Sequence, residues 1–125
     1  MTTTLSVELP RTPRAPFLAR RALDDLDGTV DPEVLPDVRL LVTELITNSV
    51  KYGGDGPVRL EVQAGRESVR AEIIDQGVGF TPKARDGDLD RVGGWGLHLT
   101  EHLTSRWGTY EGSTHVWFEI DRRRK

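Results

Sequence analysis

The sequence predicts an α+β fold, a two-layer sandwich in which a sheet of five strands is covered on one face by three helices. Three observations carry this. Runs that alternate apolar and polar residues are interleaved with runs whose apolar residues recur three and four apart, in the order strand, helix, helix, two strands, loop, helix, two strands. The strands adjacent in sequence are joined by short turns, which makes those pairs antiparallel. The longest helix has a single apolar stripe, so it covers one layer and leaves its other face to water.

Taken in order, Thr4-Leu5-Ser6-Val7-Glu8-Leu9 alternates as a strand and ends at Pro10. Pro13 and Pro16 allow a helix to begin, which runs to about Leu26 before Gly28 and Pro32 break the chain. A second helix runs from about Glu33 to Tyr52, with Pro36 tolerated in its first turn and Gly53-Gly54 stopping it. Val58–Val62 and Val69–Ile73 alternate on either side of Gly65. Residues 75–94 are rich in Gly, Pro and Asp and form a long loop, a length that in compact domains goes with function or disorder. A third helix starts near Trp95 and ends before Gly108, and strands around 106–111 and 114–120 close the chain. Trp107, Tyr110, Trp117 and Phe118 read as sheet core.

The chain has 125 residues, 36% of them hydrophobic, which suits one domain across residues 1–125 with a core of about 5–121. Its net charge of −3 offers no general attraction to nucleic acid, and the basic ending Arg122-Arg123-Arg124-Lys125 reads as a solvated tail. With no cysteine, disulfides, cysteine-ligated zinc and thiol catalysis are excluded. No apolar run approaches the ~20 residues of a membrane span. The N-terminus lacks a basic patch followed by an apolar stretch, so the expected location is the cytoplasm.

In the second helix Val38, Leu41, Val42, Leu45, Ile46 and Val50 form the apolar stripe. Glu44, Asn48 and Lys51 fall within roughly 60° of one another, away from that stripe. A solvated helix face with Glu44 supporting Lys51 accounts for two of them. Asn48 fits it less well, because asparagine is poor inside a helix unless its side chain is used. A carboxylate, an amide oxygen and an amine on one face also suit a magnesium–phosphate complex, since magnesium takes few protein oxygens and keeps water and phosphate for the rest.

"EIIDQGVGF" then puts Asp75 at a strand end, followed by Gly77 and Gly79. This is either an ordinary turn or a base pocket: an aspartate accepts hydrogen bonds only, so it can hold an exocyclic amino group such as that of adenine. "GGWGL" follows, with Gly93, Gly94 and Gly96 opening a helix whose unpaired N–H groups can meet an anion. Trp95 inside this turn either covers a nucleotide or anchors the loop. The same stretch continues as His98-Leu99-Thr100-Glu101-His102, which fits the H-x-x-E-H pattern of a zinc peptidase. A catalytic zinc needs a third protein ligand, and His115, in a proposed strand, is the one histidine left.

With these motifs in this order, the sequence resembles the Bergerat-fold ATP-binding domains shared by gyrase, ninety-kilodalton heat-shock chaperones, histidine kinases and MutL. It looks most like the small bacterial anti-sigma factor serine kinases of the RsbW and SpoIIAB type. "ELITNSVKYGG" resembles their N box, "DQGVGF" the first glycine box, "GGWGLHLTEHLTSRWG" the second box with its helix, and "GSTHVWFEI" the last strands. The resemblance implies a mixed, mostly antiparallel sheet and phosphoryl transfer from ATP with Mg2+. Glu44 would be the general base, Asn48 the magnesium ligand and Lys51 a phosphate contact more usual in histidine kinases. Asp75 would bind the adenine amino group, with Gly77 and Gly79 shaping the pocket. Gly94, Gly96 and Leu97 would flank the phosphates, and Thr114 would lie near adenine. The implied partners are a sigma factor and an anti-anti-sigma protein of the STAS fold as phosphoacceptor, with a possible homodimer and no nucleic acid or membrane. Tyr52 stands where many members have histidine, and residues 1–32 carry no phosphoacceptor hairpin of the histidine-kinase kind. The alternative of another class is a nucleotide-gated binding module of the same fold that does not turn over.

Overall fold

A computed structural model describes residues 3–52, 56–75, 100, 102–110 and 115–122. Strand β1 is Thr3–Leu9, helix α1 Ala15–Leu23, helix α2 Leu35–Tyr52, β2 Val58–Ala64, β3 Ser68–Asp75, β4 Arg106–Tyr110 and β5 His115–Asp121. The five strands form one sheet in the order β1-β2-β3-β5-β4. Every strand pairing is antiparallel, so the mixed sheet expected from the resemblance is corrected to an antiparallel one among the described residues.

The described residues contain two α-helices, where three were expected. The third, expected from near Trp95, falls mostly outside the described residues; within it Thr100, His102 and Leu103 are helical, and the Thr104 amide donates to the Thr100 carbonyl at 3.1 Å. The first helix stops three residues early: α1 ends at Leu23 and the chain tightens into a 3-10 turn over Asp24–Leu26. That tightening turns the chain while still burying Leu26, and Gly28 follows at φ +88°.

Alternation decides what faces the helices. Leu5 pairs with Val62, Val7 with Leu60 and Leu9 with Val58. Ala71 and Ile73 continue these rows from Val62 and Leu60, reaching Phe118 and Val116 on β5. Against this face lie Ala15, Ala19 and Leu23 of α1 and Val38, Leu41, Val42, Leu45 and Ile46 of α2, all buried. Each large side chain buried there contributes about 1.5–3 kcal/mol relative to exposure. Val50, expected in the same stripe, is half-buried at its edge.

The outer face is polar and cross-linked. Arg106 reaches Glu119 and Asp121, Arg70 reaches Glu119 and Glu72, and His115 reaches Glu72. Trp117 belongs to this face, a correction to its reading as core. Phe118 and Val116 take the inward positions on either side of it, so the strand period turns Trp117 outward, where the Arg70 guanidinium lies 4.5 Å from its ring. The basic ending is corrected at its first residue. The Arg122 side chain donates to the carbonyls of Gly65 and Thr29 and meets Asp31, closing the end of the sheet away from Asp75, while residues 123–125 lie outside the described residues.

Candidate functional site

The same alternation places Asp75. Val69, Ala71, Ile73 and Asp75 share one face of β3, so the last inward position of an apolar strand is a carboxylate. Its register partner on β2 is Val58, whose own partner on β1 is Leu9. Asp75 therefore ends the apolar row beneath the C-terminal part of α2, and its side chain is 2% exposed. A carboxylate buried that deeply needs partners.

Ser49 and Arg11 are among them. Ser49 Oγ donates to Asp75 Oδ2 at 2.9 Å, and Arg11 Nη2 donates to Oδ1 at 2.7 Å. Arg11 also donates through Nε to the Gly56 carbonyl at 2.8 Å and through Nη1 to the Ser49 carbonyl. The Ser49 carbonyl lies in the last described turn of α2, where a nearby cation is favourable. Gly56 sits at φ +91°, a conformation that turns the chain into β2 and that side chains rarely adopt. One guanidinium thus joins the segment after β1, the end of α2, the loop before β2 and the end of β3.

The polar face of α2 lies on the turns beside Ser49. Glu44 and Asn48 are half-buried and Lys51 is exposed. Thr43 and Thr47 donate their hydroxyls back to the carbonyls of Arg39 and Thr43, both at 2.7 Å, which ties those hydroxyls into the helix itself. The donor chemistry fits magnesium: Asn48 offers an amide oxygen and Glu44 a carboxylate one turn earlier, hard donors few in number. Among the described residues no group of three or more His, Cys, Asp or Glu could hold a metal ion. His98 and Glu101 of the zinc pattern lie outside the described residues, His102 is exposed, and His115 Nε2 lies 2.8 Å from Glu72 on the outer sheet face.

Of the residues expected at the site, Asp75 and the helix that carries Glu44, Asn48 and Lys51 are brought together through Ser49. Gly77, Gly79, Gly94, Gly96, Leu97 and Thr114 lie outside the described residues, as do Gly93 and Trp95. Ser49 and Arg11 were not foreseen. Ser49 had a signal: it stands four after Leu45 and three after Ile46, a polar residue on the buried stripe, and it is fully buried. Arg11 had none, because its carboxylate partner is 64 residues away.

Residues 9–120 match the family described as histidine kinase-like ATPase domain. The chain is similar to the serine-protein kinase RsbW of Listeria innocua, 28% identical over 116 residues that span 79% of this chain and 74% of that one. The serine-protein kinase RsbW of Listeria monocytogenes serotype 4b gives the same identity and coverage. The sensor histidine kinase AruS of Pseudomonas aeruginosa is 32% identical over 136 residues, which span 82% of this chain and 14% of that much longer protein. Among solved structures, the RsbU and RsbW domains of Rv1364c from Mycobacterium tuberculosis superpose with a TM-score of 0.68 at 22% identity, covering 97% of this chain and 32% of that one. That likeness shows the shared fold.

Proposed function

The chain belongs to the histidine kinase-like ATPase domain family, and from that premise we propose that it is a single ATP-binding domain acting as an anti-sigma serine kinase. In this reading it phosphorylates a serine on an anti-anti-sigma protein of the STAS fold and sequesters a sigma factor in the cytoplasm. The observation that carries the proposal is the 2.9 Å hydrogen bond from Ser49 to Asp75, which fastens the base-binding carboxylate to the helix turn bearing Asn48. Similarity to the serine-protein kinases RsbW of two Listeria species supports kinase activity over other chemistry of the fold. Among the described residues no helix is long and apolar enough to cross a membrane.

Asp75 accepts a hydrogen bond from the adenine amino group, with Gly77 and Gly79 letting the ring approach backbone and Thr114 close by. In the same reading Gly94, Gly96 and Leu97 flank the phosphates, and Lys51 adds a positive charge. Asn48 would hold magnesium, which would supply positive charge to the phosphates. Glu44 orients the acceptor serine and takes its proton as the serine oxygen bonds to the γ-phosphorus and the bond to the bridging oxygen breaks, leaving ADP. Glu44 is half-buried on the same helix face as Asn48, one turn earlier.

The test is transfer of labelled phosphate from ATP to a STAS-domain partner, read on the partner's serine by mass spectrometry. Glu44→Gln is expected to keep ATP binding and lose transfer by about a hundredfold or more, the usual worth of a general base. If wild type and Glu44→Gln both bind the partner and ATP and are equally inert, the kinase reading gives way to a nucleotide-gated binding module.

A further inference from the structure

We infer that Arg11 is a positioning residue for base recognition: it aims the Asp75 carboxylate at the 6-amino group of a purine nucleotide. The inference rests on the reading of Asp75 as the base acceptor and adds a residue from outside every motif that led to it.

Geometry carries the argument. The Arg11 fork donates to three acceptors from different parts of the chain, the Asp75 carboxylate, the Ser49 carbonyl and the Gly56 carbonyl, while the Ser49 hydroxyl donates to the other oxygen of Asp75. Its side chain is 14% exposed and that of Asp75 is 2% exposed, so the pair is largely screened from water. A guanidinium is a rigid planar fork, and its direction is set by the two carbonyls as well as by the carboxylate. Arg11 on Oδ1 and Ser49 on Oδ2 together fix the carboxylate plane, because each oxygen has its own donor. A carboxylate has about four acceptor positions, so the bonds from Arg11 and Ser49 do not by themselves use up its capacity to accept from a ligand. Holding it in advance removes the rotamer freedom that binding would otherwise have to take away.

The pairing also decides what a substitution does. Lysine keeps the positive charge, but a single ammonium on a flexible stem cannot span two carbonyls and a carboxylate as the fork does. Arg11→Lys therefore leaves Asp75 with a counter-charge and loosens its aim. Ser49→Ala removes the other donor while leaving the grip of Arg11 on both carbonyls intact.

Isothermal titration of wild type, Arg11→Lys and Ser49→Ala with magnesium and either ATP or purine riboside triphosphate isolates the effect. The two nucleotides differ only in the 6-amino group. Wild type is expected to bind ATP tighter by on the order of tenfold to a hundredfold, the worth of one hydrogen bond to a charged acceptor. In Arg11→Lys that gap closes towards unity while purine riboside triphosphate affinity stays within about twofold, and Ser49→Ala closes it part-way. If both nucleotides weaken in parallel and the gap persists, Arg11 only braces the fold and the inference is overturned while the ATP site stands. If wild type binds neither nucleotide, the ATP-binding reading fails first and takes the inference with it. If Arg11→Lys does not fold, Ser49→Ala decides alone, and an unchanged gap overturns the inference.

Discussion

Asp75 shows how a single residue joins the fold to the site. It occupies an inward strand position that apolar residues hold elsewhere on β3, and it is tolerated there because Arg11 and Ser49 satisfy it. Removing it leaves the Arg11 guanidinium without its counter-charge in a largely buried place. Asp75→Ala is therefore expected to lose about 3 kcal/mol or more of stability in urea unfolding, the cost of breaking a buried pair from one side. Asp75→Asn keeps an acceptor oxygen and is expected to lose less, so it is the better variant for ligand work. Its melting temperature is expected not to rise with magnesium and ATP, whereas that of wild type rises, each compared with its own unliganded value. Asp75, Glu44, Asn48 and Lys51 could be picked out as candidates in the sequence because each stands in a local pattern, a strand end or a helix face. Arg11 was not legible, since nothing near Pro10 and Pro13 marks a partner across the fold.

At the scale of elements, α2 and the β4–β5 pair are each two-sided, and their sides do different work. Helix α2 packs its apolar stripe on the sheet, keeps Glu44 and Asn48 at the margin of the core, and ends where Arg11 takes up a terminal carbonyl. The stripe and the polar face were readable from spacing of three and four. In the β4–β5 pair, alternation predicted the strands, but four aromatic residues in a row of candidates did not reveal which face each would take. Gly108 lies directly across from Trp117, and a Cβ there would come within 2.8 Å of the indole Nε1. Glycine at this position lets the indole lie flat under the Arg70 guanidinium. Gly108→Ala is expected to displace Trp117 and cost about 1–3 kcal/mol as an overpacked contact. Urea unfolding followed by tryptophan fluorescence checks both, and an unchanged midpoint and emission would show that the indole has room to spare.

At the scale of the whole molecule, charge on the outer sheet face couples three strands. Glu119 of β5 has its acidity increased chiefly by hydrogen bonding from Arg106 of β4, with Arg70 of β3 adding to it and burial opposing. Because the folded protein holds this carboxyl below the ordinary value of 4.5, its contribution is fully present above that value and is lost as the pH falls through the lowered one. The urea midpoint of wild type is expected to fall as pH drops from about 5 towards 3, and Glu119→Gln is expected to start lower and fall less steeply. Parallel curves for the two proteins would remove Glu119 from the acid response.

By itself the sequence determined the class of fold, the order of its elements and the local patterns of the candidate site. Each of these depends on periods of two and 3.6 residues or on turn residues, and such signals are complete within a few neighbours. Tertiary structure decided which strand edges meet, giving the order β1-β2-β3-β5-β4 and a wholly antiparallel sheet among the described residues. It also decided that Trp117 faces outward, that Arg122 closes one end of the sheet, and that Arg11 holds Asp75 at the other. The physical reason is range. A buried charge is satisfied by whatever donor the fold brings to it, and at 64 residues' separation only the folded chain specifies that donor.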